Sequence, residues 1–377
     1  MNVATHLTGR PSNASRASAL PLHLFLGIDI LNGTLSIWSG APFTPVALAA
    51  KALLALYLCT AVDWTTRMLS DMCIVAACLA SYALIGPHSA ASALLLVKTA
   101  AVILLIEVLP PYLVRVPPAA LAGFLRTAFC AIALSLLLGA LGLGHERYND
   151  GESVLRANGF FAAGNEVNVA LVGLFWWLSS VRRWPRRNSG DTTLYWACLL
   201  LMLVSSSKTT ILGAMVTLLL HARLRPASLL GVAVLMAAAA WLVVHSPIWD
   251  RWAFFFEIYA DDGILSGLTN GRFSRPLDLF EDWREVPWTG LGILAAGWGY
   301  VESDPLDLLL NFGLAGALLF GVFAAGLARC KGRSMVPWLL VVAASVVAGH
   351  VVYSVFAMPV LVAAMAAADA RRGPGRA

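Results

Sequence analysis

Five basic residues are the side chains best suited to bind an anion: Arg156, Lys208, Arg272, Arg275 and Arg284. The planar guanidinium of Arg donates paired hydrogen bonds to phosphate, and Lys offers a compact positive charge. Most other Lys and Arg residues lie in segments predicted to face the cytoplasm, whereas these five lie in segments predicted to face outward. Because outward cations gain nothing from the inward bias of positive charge, we expect them to bind an anionic group at the outer membrane face.

A carboxylate accompanies the first of these cations in the segment 156–166, RANGFFAAGNE. Arg156 is expected near the lipid headgroups, with Asn165 and Glu166 slightly inside the hydrocarbon at the start of a span. A carboxylate inside a span is a functional hypothesis by default, and Arg156 with Glu166 would supply an anion contact beside a proton acceptor. The alternative is a snorkelling Arg at a helix entrance with an Asn-Glu cap.

Lys208 lies in a hydroxyl-rich stretch, residues 205–210, SSSKTT. A single helix over 192–222 would overshoot the hydrocarbon at about 1.5 Å per residue and would export the basic clusters that follow it. We therefore predict a helix break here, with hydroxyls satisfying free backbone groups and Lys208 reaching into a polar cavity. The alternative is a helix cap with a snorkelling Lys.

A third group of polar residues follows in the segments 270–275, 287–292 and 302–313. Arg272 and Arg275 lie in the first of them. Glu302, Asp304 and Asp307 approach a span from outside in the last. Each of these carboxylates either pairs with an Arg or serves as a general base.

Composition sets the class of protein to which these groups belong. Apolar residues make up 59% of the 377 residues and charged residues 12%, and the mean hydropathy is +0.77. A soluble chain of this size needs more charge to cover its surface. Apolar runs near the ~17–25 residues of a membrane helix recur throughout. The sequence predicts an all-α integral membrane protein forming one polytopic domain, with about twelve transmembrane helices at 21–37, 42–62, 72–87, 93–113, 119–141, 160–180, 192–205, 209–222, 227–246, 306–328, 335–352 and 356–369.

The distribution of positive charge predicts an N-in/C-in orientation. Residues 182–187 are then cytoplasmic. The short outer loops at 38–41, 88–92 and 353–355 contain no Lys or Arg. Residues 247–305, between spans 9 and 10, form the one large periplasmic loop.

Several chemistries find no support in the sequence. The six Cys residues form no CxxC pair and the seven His residues form no i, i+4 pair, so no metal site is expected. There is no phosphate-binding loop of the Walker type and no GxSxG. The net charge of +5 arises from the inner loops, so nucleic acid is not an expected partner.

The order of motifs carries a resemblance to a known family. Arg-x-x-Gly-Phe-Phe…Asn-Glu is followed by a Ser-rich break ending in a basic residue, then Gly-Arg, Pro-x-x-Gly-x-Gly and Asp-x-x-x-x-Leu…Gly-Leu-x-Gly. This resembles the O-antigen ligase/polymerase superfamily over roughly residues 150–320. The resemblance implies a metal-independent, cofactor-free membrane glycosyltransferase with a GT-C-like fold in the bacterial inner membrane. Such enzymes take a glycan from undecaprenyl diphosphate at the periplasmic face and pass it to an acceptor hydroxyl.

The resemblance also implies roles for individual residues. Arg156, Lys208 and Arg272 match basic positions of the family, with Lys208 standing where Arg is common, and would bind the diphosphate. Arg275 and Asn165 are further candidates for substrate binding. The general base is expected among the carboxylates, ranked Asp304, Glu302 and Glu166.

The missing His favours a polymerase over a ligase. The ligase branch usually carries a His-Asn pattern near the start of the tenth span, where this chain reads ESDPLDLLLN. A polymerase joins lipid-linked repeat units into O-antigen of lipopolysaccharide, capsule or exopolysaccharide, with a chain-length regulator as a further partner. The alternatives are a ligase that transfers polysaccharide to lipid A-core and, in a different class, a flippase or other transporter of lipid-linked oligosaccharide. A flippase should carry charges along a path through both leaflets. The main intramembrane charges are Asp29, Lys51, Lys98 and Glu107. They either line such a path or pair with one another between helices.

Overall fold

The structure is a computed structural model. It describes residues 17–39, 44–86, 88–141, 143–144, 160–161, 164–180, 189–205, 208–221, 286–297, 303–330, 336–347 and 349–372, and the single positions 237, 241, 260, 282, 284 and 301. Within this part of the chain every regular element is a helix.

The described residues include eleven helices. They are α1 Leu20–Ser39, α2 Thr44–Thr60, α3 Thr66–Ile85, α4 Ala90–Leu113, α5 Pro118–Ala140, α6 Gly164–Ser179, α7 Ser189–Val204, α8 Lys208–His221, α9 Asp304–Cys330, α10 Val336–Val347 and α11 Ala357–Arg372. Local sequence explains several starts. The hydroxyls of Thr65 and Ser89 accept hydrogen bonds from Met68 N at 3.2 Å and from Ser92 N at 3.0 Å, which are N-cap contacts.

Five of these helices, α1, α3, α4, α5 and α9, are long and apolar enough to cross a membrane, and α2, α6, α8, α10 and α11 contain shorter apolar helices. The chain is therefore an α-helical membrane protein. The eleven helices coincide in position with eleven of the twelve predicted spans, and the remaining one, 227–246, lies almost entirely outside the described residues.

Contacts between chain segments bring together helix ends that an alternating up-and-down arrangement places on the same side of the membrane. Tyr112 Oη donates to Ser18 O at 2.7 Å, and Ala17 N donates to Arg115 O at 3.1 Å. The Arg115 guanidinium also donates to Ala61 O. The start of α1, the end of α2 and the end of α4 therefore lie at one end of the bundle.

Helix α9 bends sharply at Gly313, which has a φ of 60° and ψ of −141°. An ideal Cβ on Gly316 would lie 1.9 Å from Leu308 O, so the two halves of α9 pack against each other. The bend frees the carbonyl of Leu310, which accepts hydrogen bonds from Leu291 N at 2.7 Å and from Gly292 N at 3.1 Å. The segment 287–292 is thereby fixed to the bend.

The predicted span 335–352 differs from the structure. Helix α10 ends at Val347, and the segment 349–356 is irregular although nearly all of it is buried. Gly349 and His350 have φ values of 63° and 62°, which a right-handed helix does not accommodate. Irregular backbone is tolerated at membrane depth when protein groups satisfy its hydrogen bonds. The Asp304 carboxylate does so here by accepting hydrogen bonds from two backbone N–H groups of this segment.

In the described part of the chain, ion pairs between helices neutralise several charges inside the bundle. Lys51 on α2 pairs with Asp29 on α1. Arg329 on α9 pairs with Asp71 on α3 at 2.5 Å and with Glu107 on α4. The prediction that intramembrane charges pair between helices is confirmed for Asp29, Lys51 and Glu107.

Candidate functional site

The predicted site residues divide into those that the structure describes and those that it does not. Arg156, Arg272, Arg275 and Glu302 lie outside the described residues. Asn165 and Lys208 lie in the first turns of α6 and α8, but their side chains are outside the description. Arg284 is exposed. Asp304 and Glu166 are described fully, and they are the residues around which the site is built.

Asp304 is the first residue of α9 and is fully buried, with 0% of its surface exposed. Its Oδ2 accepts hydrogen bonds from Val351 N at 2.9 Å and Val352 N at 2.8 Å. A carboxylate that accepts two backbone N–H groups is strongly held. Asp304 therefore anchors the irregular segment 349–356 to the start of α9.

Ser354 connects this segment to α6 and α11. Its hydroxyl accepts a hydrogen bond from Ala357 N at 3.0 Å, which caps α11. The Ser354 side chain is also a hydrogen-bond partner of Glu166, a half-buried residue in the first turn of α6. A hydroxyl can accept one hydrogen bond while donating another, so Ser354 is placed to donate to the Glu166 carboxylate.

Three further charged residues act electrostatically on Glu166. Asp29, Lys51 and Lys98 lie within electrostatic range of its carboxylate. They come from α1, α2 and α4, so four helices contribute to one charged group. We call these four residues, Glu166, Asp29, Lys51 and Lys98, the Glu166 cluster. Its formal charge is zero, with two carboxylates and two ammonium groups.

The helix break after α7 lies at the same level as Glu166. Cys198 Sγ is 3.9 Å from Leu171 O, and the rings of Phe175 and Tyr195 stack with centroids 5.1 Å apart. Because 171 pairs with 198 and 175 with 195, α6 and α7 are antiparallel. Extending the pairing backward brings the end of α7 level with the first turn of α6.

The start of α8 is level with Glu166 as well. An ideal Cβ on Gly213 would lie 2.6 Å from Val172 Cγ2, so α8 packs closely on α6 at that point. Gly213 is five residues beyond Lys208, and Val172 is six residues beyond Glu166. At about 1.5 Å per residue, the backbone of Lys208 lies at nearly the same depth as that of Glu166.

The predicted break at 205–210 is confirmed, since α7 ends at Val204 and α8 begins at Lys208. The predicted use of hydroxyls is confirmed for two residues. Ser205 Oγ donates to Met202 O at 2.9 Å, and Thr210 Oγ1 donates to the same carbonyl at 3.0 Å. The two hydroxyl oxygens are 2.8 Å apart. They satisfy a carbonyl in the last turn of α7 that the break would otherwise expose.

Four helices thus begin near one locus: α6, α8, α9 and α11. Each helix N-terminus carries a partial positive charge of about +0.5 and N–H groups that have no acceptor within the helix itself. Acidic side chains occupy the first turns of α6 and α9. The arrangement places a carboxylate base candidate, Glu166, in a region whose backbone dipoles favour negative charge.

Sequence reasoning missed Ser354 and did not assign Lys98 to this site. A signal for Ser354 was present, because a Ser three residues before Ala357, followed by Pro359 in the first turn, is typical of a helix start. Lys98 was recognisable as an intramembrane cation, but nothing local linked it to Glu166 and Asp29, which are distant in the sequence.

No protein-family model matches the chain, and no curated protein sequence is significantly similar to it. The class of α-helical membrane protein therefore rests on the helices themselves.

Proposed function

We propose that the protein is a polysaccharide polymerase that joins undecaprenyl-diphosphate-linked oligosaccharide repeat units at the periplasmic face of the bacterial inner membrane. The acceptor hydroxyl oxygen attacks the anomeric carbon of the donor glycan. The bond between that carbon and the diphosphate oxygen breaks, and undecaprenyl diphosphate leaves with the electron pair. The acceptor proton passes to a carboxylate. No metal or cofactor takes part in the proposal.

The observation that carries this proposal is the setting of Glu166. A half-buried carboxylate, beside the Ser354 hydroxyl, lies among helix N-termini and at the depth of Lys208. A carboxylate supplies the proton acceptor that the attacking hydroxyl needs. Cations and helix N-termini supply the electrostatic stabilisation that a departing diphosphate needs.

Burial and hydrogen bonding favour Glu166 over Asp304 as the base, although the sequence ranked Asp304 first. Asp304 is fully buried and its Oδ2 is engaged by two backbone N–H groups. Glu166 is half-buried and contacts a hydroxyl rather than the backbone. We assign Asp304 a positioning role, and we keep Arg156, Arg272 and Lys208 as proposed ligands of the diphosphate.

The proposal includes the membrane arrangement. We propose twelve spans in an N-in/C-in orientation and a GT-C-like fold, with residues 247–305 in the periplasm. Single-cysteine labelling in a cysteine-free background tests this arrangement. An impermeant reagent should label a cysteine near residue 262 in whole cells and should not label one near residue 187. The reverse pattern would refute the orientation.

A flippase for the same lipid is disfavoured by the internal ion pairs. Lys51, Arg329 and their carboxylate partners neutralise each other inside the bundle. A path for an anionic headgroup through both leaflets needs cations that are open to the substrate. Lys51 and Arg329 are therefore not open to such a path, and Lys98 alone does not extend it through both leaflets.

Polymerisation of purified lipid-linked repeat units in proteoliposomes tests the function directly. The wild-type protein should extend the repeat units into lipid-linked polymer. Glu166→Gln keeps the size of the side chain and a hydrogen-bond acceptor for Ser354 but removes the base, so we expect turnover to fall about 10²–10⁴-fold with donor binding unchanged. Asp282→Asn, at an exposed position, is the matched control and should polymerise normally.

The products distinguish the alternatives. Glycan found on lipid A-core instead of on polymer would indicate a ligase. Transbilayer movement of single repeat units without any chain extension would indicate a flippase. Normal turnover by the Glu166→Gln protein would eliminate Glu166 as the base.

A further inference from the structure

Lys98 is a cation in the interior of one of the most buried helices. It lies on α4, and its neighbours Leu95, Leu96 and Thr99 are 1%, 2% and 0% exposed. Lys98 itself is half-buried. An ammonium group at such a position loses much of its hydration, so its presence requires a compensating interaction.

Among the described residues, the other cations inside the bundle have ion-pair partners, but Lys98 does not. Lys51 pairs with Asp29, and Arg329 pairs with two carboxylates. Across the described part of the chain, the Lys98 ammonium makes neither an ion pair within 4.0 Å nor a hydrogen bond, although it lies in electrostatic range of Glu166 and Asp29. Ionisable residues within membrane helices are mostly paired or mark a substrate site.

The direction of a helical side chain brings the Lys98 ammonium toward the start of α4. Lys98 is eight residues beyond Ala90, or about 12 Å along the helix axis. The Cα–Cβ bonds of a helix tilt toward its N-terminus, and a Lys stem extends its ammonium further in that direction. The ammonium is therefore directed to the end of α4 at which the proposed reaction takes place.

We propose that Lys98 is a ligand for the diphosphate of the polyprenyl-linked glycan donor. This inference rests on the proposed function and adds to it a binding residue on α4. With the diphosphate at Lys98 and the acceptor hydroxyl at Glu166, the leaving group and the base lie on α4 and α6, which both pack against α11, on either side of one reacting carbon. The ammonium stabilises the negative charge that develops on the departing diphosphate.

Binding of farnesyl diphosphate to the purified full-length protein in nanodiscs tests the inference without requiring turnover. Lys98→Met keeps the length of the side chain and removes its charge, and we expect affinity to fall about tenfold to hundredfold, the worth of one charged hydrogen bond. Lys98→Arg should bind within about threefold of wild type, because the cation is kept. Arg126→Met removes a cation from an exposed ion pair on α5 and should bind as wild type does. Inorganic diphosphate, tested beside the lipid, shows whether the head group alone is recognised.

Thermal unfolding separates a ligand from a structural group. Because the Lys98 ammonium has no ion-pair partner within 4.0 Å among the described residues, Lys98→Met should change the unfolding temperature little. Normal farnesyl diphosphate binding by Lys98→Met would overturn the inference and leave the proposed function intact. A lowered unfolding temperature together with lost binding would overturn it as well, since Lys98 would then be structural. Failure of the wild-type protein to bind farnesyl diphosphate or inorganic diphosphate would refute the proposed donor, and this inference with it.

Discussion

Replacing Asp304 tests whether this carboxylate anchors the fold or performs the chemistry. Its Oδ2 accepts the N–H groups of Val351 and Val352, both of which are 0% exposed. In Asp304→Ala both donors stay buried without a partner. Each costs about 1–3 kcal/mol, so the protein should lose about 2–6 kcal/mol of stability. Asp304→Asn keeps an oxygen in place but loses the charge assistance of two bonds, which amounts to about 1–2 kcal/mol.

Thermal unfolding in nanodiscs and polymerisation in proteoliposomes give the two measurements that are needed. A positioning residue predicts a graded result, in which Asp304→Ala loses both stability and turnover, while Asp304→Asn unfolds at a slightly lower temperature and keeps most of its turnover below that temperature. Asp282→Asn, which removes an exposed carboxylate, should change neither quantity.

The result that would refute this reasoning is specific. If Asp304→Asn unfolded like wild type, bound donor normally and had no turnover, Asp304 would be the base and Glu166 would not. Wild-type stability in Asp304→Ala would show that segment 349–356 does not depend on the two hydrogen bonds. In that case the link from Asp304 through Ser354 to Glu166 would be lost.

Two further predictions concern stability. Gly313→Ala should lower the unfolding temperature strongly, because Gly313 has a φ of 60° and its ideal Cβ would lie 2.4 Å from Pro287 O. The control Gly321→Ala, on the same helix with nothing within 4 Å of the added Cβ, should be neutral or stabilising. Equal unfolding temperatures for the two variants would contradict the role of the bend. Arg329→Ala should lower the free energy of unfolding, measured by chemical denaturation, by about 3–5 kcal/mol because it leaves two partly buried carboxylates unpaired. Arg126→Ala, in an ion pair whose Arg side chain is 47% exposed, should lower it by about 1 kcal/mol or less. A smaller loss for Arg329→Ala than for Arg126→Ala would show that the ion pairs of Arg329 do not hold α9.

Local signals in the sequence predicted the helix positions well. Long apolar runs fix where a helix must lie, because backbone groups in lipid have to be satisfied within the helix. The break at 205–210 was also predictable, since one continuous helix would have reversed the charge bias downstream. The hydroxyls of Ser205 and Thr210 satisfy the broken turn as that argument requires.

The irregular segment 349–356 was not predictable in the same way. Its composition is apolar, so it continues the hydrophobic run that predicted a span over 335–352. What permits the irregular backbone is Asp304, which precedes it by more than forty residues in the sequence. Nothing local to either segment records the contact, and without it the buried N–H groups would favour a helix.

The same distinction applies to the site. Arg156, Lys208 and Arg272 depart from the positive-inside rule, and the local sequence of each segment is enough to show the departure. Lys98 breaks a different rule, that a cation within a bundle is paired, and only the positions of the neighbouring helices reveal the exception. Sequence and structure both point to Glu166. The sequence predicts it as a proton acceptor, and the structure places the Ser354 hydroxyl beside its carboxylate. A carboxylate held by a hydroxyl can exchange that hydrogen bond for one from a substrate hydroxyl at little cost, whereas the backbone bonds of Asp304 cannot be exchanged without moving the segment that they anchor.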